Sequence, residues 1–295
     1  MSNINNCTTS TATGADHHFW HTLHNHEFIQ AVNYYFNDYW TDECDPRTRH
    51  YWLAVGGPQR LLIVMSLWLL FVTKVGPQLM ANRKPFDLRS LMFAYNVFMV
   101  VSNAYFFVLS IRWLDYGRRL FEFEFPSRED TSPQTLGQID ETVLYAYTKF
   151  VDLLDTIFFV LRKKHSHLTF LHLYHHFMVP VLGWAAIKLG PTCQPIAVFA
   201  ILNTLVHTIM YSYYALSAFG PSVRRFLWWK RYITLLQITQ FCIFVTYGAF
   251  SAFLTSGWPR GLYWIGWIQN PLFLLLFLNF YRQSYRKSTK TTKVL

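Results

Sequence analysis

The sequence predicts an all-α polytopic membrane protein with seven transmembrane helices. Three observations carry this reading. Hydrophobic residues make up 52% of the 295-residue chain and charged residues only 14%, whereas a soluble domain carries about 25% charged residues. Seven stretches are mainly apolar over the roughly 20 residues that a span requires: 59–80, 90–111, 140–162, 168–188, 195–219, 231–255 and 261–281. The charge is also segregated. All 16 acids lie at or before Asp155, and residues 156–295 hold 14 Lys/Arg with no carboxylate.

Taken in order, residues 1–58 form a polar, His-rich segment without an apolar core. No cleavable signal peptide is expected, so the first span also serves as the targeting signal. Residues 59–281 form one seven-helix membrane domain, and residues 282–295 a basic tail. With the N-terminus outside the cytosol, the cytosolic segments hold 15 basic residues (for instance Arg83, Lys84, Arg162, Lys163, Lys164, Arg224 and Arg225) against six on the other side. The positive-inside rule therefore predicts a lumenal N-terminus and a cytosolic C-terminus. This orientation puts the sequon Asn6-Cys7-Thr8 on the lumenal side, and residues 112–139 become a solvated lumenal loop. Cys7, Cys44, Cys193 and Cys242 are too scattered for a disulfide framework or a zinc site.

Spans three to six carry polar residues that lipid alone does not accommodate, and such groups face a bundle interior or a cavity. The fourth contains His172-Leu-Tyr-His175-His176, whose i, i+3, i+4 spacing puts three imidazoles on one helix face. On the third, Lys149 and Asp152 neutralise each other at i, i+3, ahead of Asp155-Thr156. The fifth carries Asn203, His207, Met210, Tyr211 and Tyr214 at helical spacing. The sixth carries Thr234, Gln237 and Gln240, whose amides suit bonds across helices. With about 1.5 Å of rise per residue, these groups reach similar depths between the cytosolic interface and the midplane, so one shared site is expected.

Two chemistries suit such a site. A His-box di-iron desaturase or hydroxylase would use imidazoles as ligands, but six His and no carboxylate in the second half are few for two irons. Alternatively an imidazole attacks a thioester and carries the acyl group while a second handles the proton, with no metal and with the basic rim attracting a polyanionic carrier. A seven-helix receptor or transporter is the non-enzyme alternative, and it gives no reason for three imidazoles on one face.

These residues resemble the ELO/ELOVL family of very-long-chain fatty-acid elongases over roughly 59–285. The family's KxxExxDT stands as Lys149-Phe-Val-Asp152-Leu-Leu-Asp155-Thr156, with Asp for Glu. Its HxxHH is His172 to His176, its HxxMYxYY runs from His207 to Tyr214, and its TxxQxxQ from Thr234 to Gln240. The resemblance implies an acyltransferase of the endoplasmic reticulum, a very-long-chain 3-oxoacyl-CoA synthase that condenses acyl-CoA with malonyl-CoA and releases CO₂ and CoA. It implies seven helices, six of them in a barrel of two inverted three-helix units around an acyl-chain tunnel, without metal or cofactor. By carry-over His175 is the acyl-accepting nucleophile and His207 its acid/base or positioning partner. His172 and His176 shape the site, which Lys149, Asp152, Asp155, Asn203, Tyr211, Tyr214, Gln237 and Gln240 line. The ketoacyl reductase, dehydratase and enoyl reductase of the elongation cycle are implied partners. A lipid-facing surface this aromatic can support a homodimer, and no nucleic-acid partner is expected. Lys293 stands at −3 but the next lysine, Lys290, at −6, a departure from the family's dilysine retrieval signal. Tunnel depth is expected to set product length, with Trp184, Phe199 and Phe250 closing the far end.

Overall fold

The computed structural model describes residues 26–254 and 260–285. The sequon at Asn6 and the lysines of the tail lie outside the described residues. The described chain is helical, without a strand. Residues 26–42 form α1. There follow α2 (Gln59–Met80), α3 (Arg89–Trp113), α4 (Pro133–Val151), α5 (Leu154–Leu161), α6 (Phe170–Leu189), α7 (Gln194–Ser217), α8 (Lys230–Leu254) and α9 (Arg260–Tyr285). Five of these helices, α2, α3, α6, α7 and α8, are long and apolar enough to cross a membrane.

Polar residues inside these apolar helices satisfy themselves locally. On α7 the hydroxyls of Thr204, Thr208 and Ser212 donate to the carbonyls of Ala200, Thr204 and Thr208 at 2.6–2.7 Å. That back-bonding removes the cost of an orphaned hydroxyl in an environment without water. Large apolar side chains, among them Ile63, Leu67, Val101, Val108, Phe253 and Leu275, stand exposed. Exposed apolar faces of this extent mark a lipid-facing surface rather than one against water.

Two helices depart from the regular α form. α2 widens into a π turn at Phe71–Val75 just before Gly76-Pro77. Pro77 has no amide to offer the preceding turn, and Gly76 permits close approach: a Cβ there would sit 2.8 Å from Val160 Cγ1 on α5. The third expected span, 140–162, is not one helix. It divides into α4 and α5 at Asp152-Leu153, where Leu153 N donates to Phe150 O and Asp155 N to Asp152 O, both at 3.2 Å. These i, i+3 bonds tighten the turn toward 3₁₀ geometry and redirect the chain beside Asp152.

Helix packing runs in a closed cycle: α3 on α7, α7 on α8, α8 on α9, α9 on α6, α6 on α4, and α4 back on α3. α2 lies outside this cycle, against α6. The two ends of the bundle differ. At the basic end, segments 81–88 and 162–169 meet, with Phe86 N on Leu161 O at 3.1 Å and Lys163 Nζ on Ala81 O at 3.0 Å. At the opposite end the segment before α2 is clasped into the fold. Asp45 and Arg47 form a buried two-point ion pair at 2.7 and 3.0 Å. Arg47 also donates to the carbonyls of Ser127 and Asp130, and Lys188 Nζ donates to Ala54 O and Gly56 O at 2.7 and 2.5 Å. The loop before α4 is thus pinned by backbone carbonyl contacts rather than freely solvated. Within it, hydrogen bonds from Thr135 and Ser132 hold Asp130 down at about 2, so it stays ionised well below neutral pH.

Candidate active site

The four motifs converge on one cavity of about 760 Å³ at the basic end of the bundle. His172, His175 and His176 line it from α6, Asn203, His207, Tyr211 and Tyr214 from α7, Gln237 and Gln240 from α8, and Asp155 from α5. Two of the expected lining residues are absent. Lys149 and Asp152 are buried behind the wall, at 2% and 5% exposure, and act through residues that do line the cavity. Lys149 Nζ lies 3.2 Å from Asp152 Oδ2 and 3.3 Å from Asn203 Oδ1, which also accepts from Tyr145 OH at 3.0 Å. Tyr211 OH lies 3.1 Å from Asp152 Oδ1 and 2.7 Å from Asp155 Oδ2, one phenolic proton facing two carboxyl groups. The network joins α4, α5 and α7 at the turn that divides the third span.

The box opens α6. Thr169 caps the helix by accepting the His172 amide at 3.2 Å, which fixes the first turn and with it the register of the imidazoles. His172 Nε2 meets Thr156 Oγ1 at 2.9 Å, and its ring lies 4.2 Å from that of His176. Pro180 stands four residues after His176 and leaves that carbonyl without its helical amide. His175 is held differently. Its half-buried ring meets the edges of Phe273 and Phe277 on α9 at 5.5 and 6.2 Å, and no hydrogen bond from another described residue occupies its nitrogens. His176 and His207 each have a buried Nδ1 without a partner among the described residues.

Arg89, Arg162 and Lys230 line the mouth of the cavity. Burial, with Lys230 and Lys164 adding to it, pushes His167 at this mouth below the ordinary histidine value, so the rim is basic from Lys and Arg and not from imidazolium.

A second cavity of about 190 Å³ lies farther from the basic end, between α4, α6, α7, α8 and α9. Lys149 lines it, only 3.3 Å from Asn203 of the larger cavity. Most of its walls are small or apolar, among them Gly183, Ala186, Phe199, Phe244, Gly248 and Ala249. Of the three large residues expected at the tunnel end, only Phe199 is here. Trp184 faces the other way, its ring 4.6 Å from Trp40 and its Nε1 donating to Leu53 O at 2.7 Å, and Phe250 is 62% exposed toward lipid. Depth along a helix can be read from sequence, but the direction a large apolar residue faces is decided by packing.

The profile of the family described as ELO: GNS1/SUR4 matches residues 53–293. The chain belongs to the ELO family. It is 38% identical over 267 residues to very long chain fatty acid elongase 7 of Rattus norvegicus, covering 88% of this chain and 92% of the relative. It is 36% identical over 259 residues to very long chain fatty acid elongase 1 of Homo sapiens, covering 85% and 90%. With very long chain fatty acid elongase 4 of Mus musculus it shares 34% over 282 residues, covering 90% and 86%. In this ELO-family chain the sequence reading overlooked Phe273, Phe277, Tyr145 and Tyr95. Tyr95 packs on Tyr211 and donates to Val151 O at 3.3 Å. Only the i, i+4 spacing of the two phenylalanines was available as a signal, and in a chain that is 19% aromatic it distinguishes nothing.

Proposed function

We propose that this chain is the condensing enzyme of very-long-chain fatty-acid elongation, a 3-ketoacyl-CoA synthase. The observation that carries the proposal is His175, an imidazole without a competing hydrogen bond that faces a large cavity with a basic mouth. Its free nitrogen attacks the acyl thioester carbonyl, the C–S bond breaks, and the CoA thiolate leaves and takes up a proton. Malonyl-CoA then loses CO₂, the electrons of that C–C bond form the new bond to the acyl carbon, and the imidazole departs. His207, whose Nδ1 is unpartnered, is the group that moves or positions the proton. The remaining motif side chains hold the two rings in place.

The closed cycle of packed pairs supports a six-helix barrel, with α2 as a seventh span outside it, α4 and α5 together as one span and α9 as another. The acyl chain passes from the large cavity into the small one, while the CoA phosphates meet Arg89, Arg162 and Lys230 at the mouth. We further infer residence in the endoplasmic reticulum membrane from the elongase reading, with the basic mouth in the cytosol by the positive-inside rule; a dry tunnel suits a growing chain that gains about 0.8 kcal/mol per CH₂ on leaving water. The enzymes that reduce and dehydrate the ketoacyl product are its expected partners.

The deciding experiment incubates purified protein with a range of acyl-CoAs and malonyl-CoA and reads products by mass. Acyl-CoA-dependent CO₂ release with a product two carbons longer supports the proposal, and its absence across the range refutes it. The small cavity gives a sharper expectation. Gly248 lines the cavity and a Cβ there meets nothing within 4 Å, so Gly248→Leu should narrow the cavity and end elongation at least one cycle earlier. Phe199→Ala should extend it. Unchanged product lengths in both variants would remove the cavity from the acyl path.

A further inference from the structure

One wall of the small cavity does not fit a purely hydrocarbon guest. Thr142 on α4 is 1% exposed, lines the cavity, and its Oγ1 has no hydrogen-bond partner among the described residues. Other hydroxyls of the helices behave otherwise: those of Ser110, Thr148, Thr204 and Thr208 each donate to a carbonyl of their own helix at 2.6–2.9 Å. An unpartnered buried hydroxyl costs free energy that this local bond ordinarily recovers. Two further polar side chains from other helices share the cavity, Ser251 on α8, 7% exposed, and Asn270 on α9. Polar groups from three helices therefore line a cavity whose remaining walls, apart from Tyr145 and Lys149, are small or apolar, with the Asn270 amide donating to Gly266 O at 2.8 Å and its carbonyl left as an acceptor. Thr142 is seven residues, about 10 Å of helix, beyond Lys149 and away from the histidine cavity.

We propose that this cluster receives a hydroxyl group carried at the ω end of the acyl chain, with Thr142 as its principal hydrogen-bond partner. The proposal rests on the elongase reading above and adds a substrate class to it. A hydroxyl both donates and accepts, as do Thr142 and Ser251, so one guest group satisfies the cluster without charge. A methyl end enters the same space but leaves Thr142 unpartnered. A chain-terminal carboxylate would need a cation, and Lys149, the cation lining this cavity, is already engaged by Asp152 and Asn203.

The experiment measures kcat/KM for a series of long-chain acyl-CoAs and for their ω-hydroxy counterparts of equal length. At the length that brings the ω end to Thr142, the hydroxy-to-methyl ratio should be highest. Thr142→Val should lower that ratio about tenfold, the worth of one hydrogen bond to a buried group. Thr142→Ser should keep it. The valine variant should remain as thermostable as the parent or more so, which separates lost recognition from lost folding. A ratio that is the same in the parent and in Thr142→Val at every length overturns the proposal and leaves the elongase reading intact. No condensation of any acyl-CoA overturns both.

Discussion

Replacing His175 with alanine should lower acyl-CoA-dependent CO₂ release from malonyl-CoA by at least about 10³-fold, because a covalent nucleophile and the geometry built around it disappear together. Thermostability should change far less. His175 contributes no hydrogen bond to another described residue, and its ring contacts are edge contacts with Phe273, Phe277 and His176. His172 and His176 provide the contrast. His172 is bonded to Thr156 at 2.9 Å and its ring packs at a tilt, 4.2 Å from that of His176, so alanine at either should weaken the fold as well as the rate. The measurement pairs single-turnover condensation with thermal melting of the purified protein. Full activity in His175→Ala would defeat the nucleophile assignment. Mass detection of an acyl adduct on the parent and not on the variant would identify the attacking nitrogen directly. His207→Ala should fall between the two, slowing the reaction while still permitting acyl transfer to His175.

The spans were legible because an apolar run of about 20 residues has few alternatives, and segments 59–80 and 195–219 lie within two residues of α2 and α7 at each end. The bends were not. The turn at Asp152-Leu153 involves no proline or glycine and arises where Asp152 reaches both Lys149 and Tyr211. Gly76-Pro77 marks a break in the first span, but does not show that it takes the form of a π turn at Phe71–Val75 with Val160 of α5 against Gly76. The histidines were legible for an energetic reason: polar groups are costly in a bilayer, so their presence at helical spacing carries information. Phe273 and Phe277, which hold His175, were not, because an aromatic residue costs nothing there. Arg47 was equally hidden. Its partners besides Asp45 are the carbonyls of Ser127 and Asp130, which no side-chain pattern records.

Asp152→Ala is expected to be the most destabilising single change at the site. It would leave the Lys149 ammonium, 2% exposed, with only Asn203 Oδ1 and the Tyr145 ring 4.9 Å away. Removing one member of a buried pair costs roughly 3–5 kcal/mol, a large part of the ~5–15 kcal/mol that keeps a domain folded, so the yield of monodisperse protein and the melting temperature should both collapse. Asp152→Glu, which restores the residue of the family motif, keeps the charge but adds one methylene between Lys149 and Tyr211, and should cost about 1–3 kcal/mol, less than the loss of the carboxylate. The double replacement Lys149→Met with Asp152→Leu separates the two roles of the pair. Exchanging a buried ion pair for apolar residues of similar volume is often neutral for stability, so the double variant should fold where Asp152→Ala does not. It should still condense poorly, because Asn203 and Tyr211 would each lose one of the two partners that orient them. If the double variant recovers activity together with stability, the pair is scaffold alone, and Asn203 and Tyr211 are oriented well enough by Tyr145 and Asp155.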